Sequence, residues 1–372
     1  MLIVPAKPFD SPYCDKEASA LPLRQKNIAS FESGRYALKF LLEYFGVMPG
    51  EKVLIPAYIC ASSLEPLLAS GYKIAFIDLN YDWSINENDL LAVLKSEACS
   101  VVVLPVYFGL FDTCSDMIYQ KCKSIGVKVI KDYAHSYLSY LYRTDEENCD
   151  ALILSIRKSV NVLHGGVAIV NNTHSLYFPG CRKRAAIEYI KYNIAKAAEK
   201  YACRLGVNLY SPFLTKIKTR LLKKGEPKTP MNELETMMVD FVDLLHLLDK
   251  NGYSAGVAAS RRVNFSKLRN LCHNKVDVKE IRGEVPQIFP IWGDAKLLEY
   301  FRENGVGATM WPSFDVPKQV LDNIQDFPVT SFFMNNIICL PVHHGLQDKH
   351  LNKIHLLNST YKNEDCRKTT DV

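Results

Sequence analysis

An α/β fold, with helices covering both faces of a mostly parallel sheet, is predicted for the first half of this chain. Short apolar runs alternate with segments of helical spacing between residues 34 and 172. The run at 101–106 is apolar throughout, which is typical of a strand buried on both faces. A smaller α+β domain is expected to follow, because strand and helix signals return from Val285 onwards.

The elements of the first half are predicted in chain order. Ser33 caps a helix that begins at Gly34 and runs to about Phe45, where Gly46 ends it. Strands are then predicted at 52–56, 72–79, 100–107, 127–132, 150–155 and 166–172. The helices between them are predicted at 62–70, 88–95 and 114–125.

The second half begins with a basic helical segment. Between residues 182 and 224, basic residues heavily outnumber the two acids, Glu188 and Glu199. A linker is predicted at 225–230, and helices at 232–250 and 255–272. Strands at 287–292 and 337–342 and helices at 294–305 and 348–361 complete the chain. We therefore predict a large domain over 1–230, then a helical connection and a small α+β domain over 231–372.

Composition narrows the class of protein. The chain has 372 residues and a net charge of +5, and its 11 cysteines form no CxxC pair. Reduced thiols are therefore expected, and neither a disulfide framework nor a metal cluster. No signal peptide or membrane span is apparent, which makes the cytoplasm the expected location. The basic segment is interpreted first as a solvated helical face; a surface for a nucleotide-sugar or an anionic membrane is the sharper alternative, and nucleic acid is the weakest.

Ligands of such sheets bind outside the carboxyl ends of the strands. That rule points to four segments before any motif is considered: 56–62, 105–109, 132–135 and 155–158. At the helix that begins at Gly34, free backbone N–H groups favour an anion such as phosphate. Taken alone, an ordinary serine cap is the simpler interpretation of Ser33.

Two strand ends carry groups suited to a pyridine cofactor. Asp132 closes a buried strand, where a carboxylate needs a cation or several donors, and a pyridinium nitrogen would serve. The alternative is a cap of the next turn. His135 is balanced between a cofactor contact and a satisfied core histidine. Lys158 follows a strand and Arg157, and a lysine there forms a Schiff base if its pKa is lowered; a solvated Arg-Lys pair is the alternative.

In combination, these segments resemble the DegT/DnrJ/EryC1/StrS family of pyridoxal phosphate (PLP)-dependent sugar aminotransferases, of fold-type I. The resemblance runs in order over about residues 28–172, through SGRYAL (33–38), the segment 50–80, VVLPVYFG (102–109), GVKVIKDYAHS (126–136) and LSIRKSVNVLHGGVAIV (154–170). Weaker similarity lies at 261–265 and 338–346.

The resemblance implies a role for each matching position. The backbone of Gly34, Arg35 and Tyr36 and the hydroxyl of Ser155 would bind the PLP phosphate. Asp132 would pair with the pyridine nitrogen, and His135 would lie near the ring hydroxyl. Lys158 would form the internal aldimine and shuttle protons.

Three positions depart from the family pattern. Only two residues separate Ser155 from Lys158, where family members usually have four. Cys60 stands where an aromatic residue commonly stacks on the cofactor ring, so Tyr58, Tyr107 or another aromatic is expected to cover it. His164 replaces an acidic residue, and it is not read as a lysine substitute because Lys158 is present.

The resemblance implies an aminotransferase that converts a keto-sugar, nucleotide-linked, to an amino sugar for surface polysaccharide or glycoside biosynthesis. Glutamate is the implied amino donor, and a homodimer the implied assembly. A PLP-dependent sugar dehydratase on the same scaffold and a non-catalytic relative are the alternatives.

Overall fold

The computed structural model describes residues 1–7, 27–142, 148–160, 165–171, 186–211, 214, 253–278 and 283–361. The predicted α/β fold with a mostly parallel central sheet is confirmed. The strands are β1 (Asn27–Phe31), β2 (Lys52–Pro56), β3 (Lys73–Ile77), β4 (Val101–Tyr107), β5 (Phe111–Asp112), β6 (Lys128–Tyr133), β7 (Ala151–Ser155), β8 (Gly166–Val170), β9 (Ile288–Trp292) and β10 (Ile337–Pro341).

The helices of the described residues alternate with these strands. They are α1 (Gly34–Tyr44), α2 (Ala61–Ala69), α3 (Glu87–Ser96), α4 (Asp116–Ser124), α5 (Tyr137–Tyr142), α6 (Ala186–Arg204), α7 (Tyr253–Leu271), α8 (Ala295–Glu303), α9 (Lys318–Asp322), α10 (Pro328–Asn336) and α11 (Asp348–Thr360). None of them combines the length and the apolar character that a membrane crossing requires.

The large sheet has the strand order β1-β8-β7-β6-β4-β2-β3, with β5 paired to β4. The neighbours from β7 to β3 are parallel, and β8 is antiparallel to both β1 and β7. Gly166, the first residue of β8, therefore pairs with the last residues of β1 and β7, Phe31 and Ser155. The carboxyl ends of the parallel strands and the start of β8 share one edge of the sheet.

The paired glycines at the start of β8 have a steric reason. A Cβ on Gly166 would lie 2.1 Å from the carbonyl carbon of Ser33, so no side chain fits between β8 and the start of α1. Gly165 has a φ of 154°, and a Cβ there would lie 2.8 Å from the Cβ of Ile156. The two glycines let the β8 strand begin directly against α1 and against the turn that follows β7.

Apolar side chains on the two faces of the sheet form two buried clusters. The cluster beneath α1 and α2 includes Phe31, Leu41 and Ile55, and the larger cluster reaches through Leu104 and Leu152 into the second half of the chain. Burial of both faces explains why β4 reads as an uninterrupted apolar run, since each of its residues is buried.

The small sheet pairs β9 with β10 in antiparallel register. The first residues of the chain add to this part: Val4 bridges Val306, and the Val4 carbonyl accepts the N–H of Gly307 at 2.8 Å. Asp78, just beyond β3, accepts the N–H groups of Val329 and Thr330 at the start of α10. These bonds attach the second half of the chain to the sheet.

Several elements went unpredicted, namely β1, β5, α5, α9 and α10. Most are short, and β1 follows a segment with little periodicity, so local patterns gave no signal. The linker at 225–230, the helix at 232–250 and the predicted boundary between 230 and 231 lie outside the described residues.

Candidate active site

A cavity of about 420 Å³ opens at the carboxyl edge of the large sheet. The ends of β4, β6 and β7 and the start of α1 form one wall, and residues between Arg261 and His343 form the other. Among the predicted site residues, the cavity wall includes Gly34, Arg35, Cys60, Asp132, His135, Ser155 and Lys158. This volume is in the range of cavities that hold a cofactor-sized molecule.

Lys158 ends a short 3₁₀ turn, Ile156–Lys158, that follows β7 directly. The turn is closed by the Ile156 carbonyl, which accepts the N–H groups of Ser159 and Val160. Burial lowers the pKa of the Lys158 amine, and Arg157 adds to the lowering, whereas Asp132 opposes it. A lowered pKa increases the neutral, nucleophilic fraction of the amine, which is what Schiff-base chemistry needs.

Asp132 lies near the end of β6, and its Oδ1 accepts the N–H of Ala134 at 2.7 Å. Burial raises the pKa of this carboxyl group, although Lys158 and the Ala134 N–H both favour its charged form. The residue is half-buried, and it lies on the cavity wall. The carboxylate therefore faces a space in which a cation would stabilise it.

Asp132 lies in β6 and Lys158 in the turn that follows the adjacent parallel strand β7, and Asp132 pairs with Ile153 in the register of the two strands. No ion pair joins the two groups, both of which lie in the described part of the chain. They influence each other's pKa across the cavity, in the direction that favours both charges. The arrangement leaves room for a third group between them.

The start of α1 is the third part of the site. Ser33 is the N-cap by position, but its hydroxyl does not cap the helix. Among the described residues the buried Ser33 Oγ has no hydrogen-bond partner. A Cβ on Gly34 would lie 3.6 Å from its nearest neighbour, the Leu154 carbonyl oxygen, so the chain leaves space there. A buried hydroxyl and the free N–H groups of a helix start suit an anion.

The side chains of Arg35 and Tyr36 have other partners, and the Tyr36 N–H donates to the Ser33 carbonyl at 3.1 Å. The Arg35 guanidinium forms an ion pair with Glu65 on α2 at 2.8 Å and donates to the Ser62 carbonyl at 3.3 Å. Tyr36 is buried in the core cluster beneath α1, and its ring lies 5.5 Å from the Arg35 guanidinium. Neither side chain is directed to the anion position that the helix start provides.

His135 lies between two aromatic rings on the cavity wall. Its ring stacks on Phe108 with centroids 5.3 Å apart and meets Trp311 edge-on at 5.0 Å. Burial and the nearby Lys158 charge hold the pKa of His135 well below its usual range, so the imidazole is neutral. A neutral ring presents a flat face or a single N–H to a bound molecule.

Cys60 lies at the N-cap of α2, half-buried on the cavity wall. Burial raises the pKa of its thiol to about 12, and the neighbouring Asp315 adds to the rise. The residue is thus a neutral thiol. Of the aromatic residues expected to replace it, Tyr107 lines the cavity, while Tyr58 is fully buried behind it. Phe108, His135 and Trp311 supply the other rings of the wall.

Sequence reasoning missed the contributions that come from distant segments. Lys7, Arg261, Gln287, Trp311 and His343 all line the cavity. Arg261 and His343 belong to the weak family similarities at 261–265 and 338–346, which were the only signals. Lys7, Gln287 and Trp311 carry no motif, because only the packing of distant segments brings them to the sheet edge.

The basic segment is described only at 186–211 and at 214. Its exposed side chains include the apolar Ile194, Tyr201 and Leu205. The pKa of Lys7, on the cavity wall, is lowered to about 8. Burial is the main cause, and the charges of Arg157 and Lys196 add to it. His164 lies outside the described residues.

Residues 17–143 match the model of the DegT/DnrJ/EryC1/StrS aminotransferase family. A stretch of 111 residues is 24% identical to the UDP-4-amino-4-deoxy-L-arabinose–oxoglutarate aminotransferase of Shewanella sediminis. That stretch is 30% of this chain and 28% of the relative, so the chain matches less than a third of that protein.

Solved structures resemble the chain over a longer span. A DegT DnrJ EryC1 StrS aminotransferase from Brucella abortus is 16% identical, with a TM-score of 0.62 over 89% of this chain and 85% of its own. The PLP form of Spr1654 from Streptococcus pneumoniae is 13% identical, with a TM-score of 0.61 over 89% of this chain and 86% of its own. At such identities the likeness shows the fold.

Proposed function

We propose that this chain, which resembles the DegT/DnrJ/EryC1/StrS aminotransferase family in sequence and fold, is a PLP-dependent aminotransferase that converts a keto-sugar to an amino sugar. One observation supports this most. Asp132, in β6, and Lys158, in the turn after the adjacent strand β7, line one cavity at the carboxyl edge of the sheet. A lysine of lowered pKa and a carboxylate awaiting a cation are the pair that a pyridine aldehyde requires.

The residues present fit PLP at four points. The orphaned Ser33 hydroxyl and the start of α1 match its phosphate, and Ser155 lies beside them on the wall. The Asp132 carboxylate matches a protonated ring nitrogen. The Lys158 amine matches the aldehyde. The aromatic residues of the wall, including Trp311 and Tyr107, match the ring itself.

When bound, PLP supplies an electron sink that makes loss of a proton from the amine-bearing carbon feasible. Lys158 Nζ would hold the cofactor, and as a free, neutral amine it would accept a proton and return it. Asp132 keeps a positive charge at the ring nitrogen favourable. The start of α1 fixes the phosphate, and the rings of Phe108 and Trp311 limit the access of water.

The cavity mouth supports an anionic substrate. Arg157 and Lys196 lie close enough to lower the pKa of Lys7, although Glu199 opposes them, and this mainly cationic group suits a nucleotide-linked sugar. Glutamate as amino donor, a role in surface polysaccharide or glycoside biosynthesis, a homodimer and a cytoplasmic location complete the proposal. They follow from the family resemblance.

The first experiment asks whether PLP binds at Lys158. Purified protein with added PLP should gain visible absorbance that borohydride removes, and mass spectrometry of a digest should find the trapped cofactor on the peptide containing Lys158. A protein that takes up no PLP would leave only the non-catalytic relative. Trapping at another lysine would contradict the Lys158 assignment.

The second experiment separates transamination from sugar dehydration. Adding glutamate to the PLP-loaded protein should bleach the visible band and release 2-oxoglutarate. A panel of amino acids tests other donors. If no amino acid bleaches the band although PLP is bound at Lys158, the aminotransferase proposal fails and the dehydratase gains support.

A further inference from the structure

The turn that carries Lys158 is short and has few bonds of its own. It begins directly after β7, and the bonds from Ser159 and Val160 use only the Ile156 carbonyl. Further along the chain, the carbonyls of Lys158 and Ser159 also act as acceptors. Buried carbonyls need donors, and these two find them outside the large sheet.

Arg261, on α7, supplies the first donor. Its side chain is 2% exposed. The guanidinium donates to the Ser159 carbonyl at 3.1 Å and, through its other terminal nitrogen, to the carbonyls of Gln287 at 3.0 Å and Pro286 at 3.3 Å. The planar, always charged guanidinium carries five N–H donors in a fixed geometry, so it can bridge carbonyls that lie farther apart than the single nitrogen of a lysine can reach.

Gln287 supplies the second donor. Its side-chain Nε2 donates to the Lys158 carbonyl in a long bond of 3.4 Å, and its backbone N–H donates to the Phe108 carbonyl at 2.8 Å. The amide orientation follows from chemistry, since a carbonyl oxygen turned towards the Lys158 carbonyl would be repelled. Gln287 thus joins the lysine turn to the end of β4.

We propose that Arg261 and Gln287 are positioning residues that clamp the Lys158 turn from the second half of the chain and hold the amine in the cavity. The clamp stands where the link between Ser155 and Lys158 is short, so the turn cannot be held by a longer loop of its own. This role rests on the proposed function of Lys158.

Loss of the clamp has a specific electrostatic consequence. The groups that influence the Lys158 charge are Asp132, Cys60, Arg157 and Asp315, and burial outweighs them. A released turn lets the amine reach solvent, where its pKa returns towards the ordinary value of about 10.4. A merely structural residue, by contrast, would lower stability without changing the environment of the amine in the folded protein.

The test is competitive labelling of lysine amines over a pH series in the full chain without added PLP, read by mass spectrometry. Arg261→Met and Gln287→Met should each raise the pKa of Lys158, by about one pH unit or more for Arg261→Met. Arg261→Lys, which keeps the charge but not the planar guanidinium, should lie between this variant and the natural protein. Urea unfolding shows which variants are folded.

Matched controls share the neighbourhood but not the turn. Arg262 lies beside Arg261 on α7 and donates to the carbonyls of Gly283 and Glu284, and Arg262→Met should leave the Lys158 pKa unchanged. Gln319→Met, on exposed α9, controls for the glutamine change.

An unchanged Lys158 pKa in folded Arg261→Met and Gln287→Met would overturn the clamp. If Arg261→Met does not fold, Gln287→Met, which removes only the long bond at 3.4 Å, decides the outcome. The labelling needs no cofactor, so failure of the natural protein to bind PLP would overturn the proposed function and leave the clamp result standing.

Discussion

Each face of β6 has a lysine and an aspartate near each other, but the two pairs differ in whether their charges are in contact. Lys131 is 3% exposed, and its Nζ lies 2.9 Å from Asp112 Oδ2. Asp132, the next residue, points to the other face and into the cavity that it shares with Lys158. Lys131 and Asp112 are in direct contact, whereas Lys158 and Asp132 form no ion pair with each other.

This difference distinguishes an ion pair that stabilises the fold from charged groups that are available to a ligand. A buried ion pair in contact satisfies both charges and leaves nothing for a ligand. In the cavity, burial disfavours both charged forms, and the chain offers Lys158 and Asp132 no ion-pair contact with each other. Such perturbed groups in a cavity are typical of functional sites. Substitutions in and around the two pairs test this contrast, and those with the strongest expected effect come first.

Lys131→Met should destabilise the protein most. The substitution leaves the Asp112 carboxylate without its buried partner, and we expect a loss of about 2–4 kcal/mol in the free energy of unfolding. Urea unfolding measures it. Lys121→Met is the control, because its pair with Glu87 lies at the surface and should matter by less than about 1 kcal/mol. Equal losses in the two variants would remove the contrast between the faces.

Acid should destabilise the protein through His343, a partnered group on the cavity wall. Its Nε2 lies 2.9 Å from the Pro5 carbonyl, its Nδ1 accepts the Gly345 N–H, and burial lowers its pKa to about 3. The unfolded chain binds a proton near pH 6.5 and the folded chain does not, so stability falls as the pH drops from about 6.5 to about 3. The limit is about 1.4 kcal/mol per pH unit.

His343→Gln keeps a donor and an acceptor but cannot titrate, so its stability should depend less on pH over that range. Exposed His273→Gln is the control. Urea unfolding between pH 4 and pH 7 compares them. Identical pH dependence in the natural protein and His343→Gln would contradict the assignment.

Lys158→Met should act in the opposite direction to Lys131→Met. Without added PLP, we expect the free energy of unfolding at pH 7 to rise by about 0.5–2 kcal/mol, as often follows when a buried functional group is replaced. Because the pKa of Lys158 is lowered in the folded chain, the gain should shrink as the pH rises through that pKa towards about 10.4. A loss comparable to that of Lys131→Met would make Lys158 a structural residue.

Arg35→Ala should have the smallest effect. The guanidinium pairs with the partly exposed Glu65, so the variant should lose less than about 1 kcal/mol of stability. PLP affinity, measured by titration of the visible band, should change less than about threefold, because the proposed phosphate contact of residue 35 is made by its backbone. A loss of tenfold or more would place the side chain on the phosphate.

Much of the first half was predictable because its patterns are local. The helix at Gly34 and the strands at 52–56 and 150–155 coincide with the structure to within a residue. Their apolar runs, caps and glycines act within one element. β1 was missed because its identity as a strand depends on pairing with β8, far along the chain.

The site was predictable to the same depth. Asp132 and Ser155 lie at the ends of β6 and β7 and Lys158 lies in the turn after β7, and the rule for parallel sheets brings strand ends together without further information. The clamp was not, because Arg261 and Gln287 contact the Lys158 turn from more than 100 residues away along the chain. Long-range contacts leave no periodic trace in a single sequence.

The alternation of helices and strands, the edge of the sheet at which polar groups gather, and the choice of Lys158 and Asp132 as site candidates were all predictable from the amino-acid sequence. Those features depend on hydrophobic periodicity and on residues adjacent in the chain. The ion pair between Lys131 and Asp112, and the position of Lys158 on a cavity wall, could be seen in the tertiary structure alone. The reason is physical: a lysine's pKa and reactivity depend on burial and on neighbouring charges, and those come from every segment that packs around it.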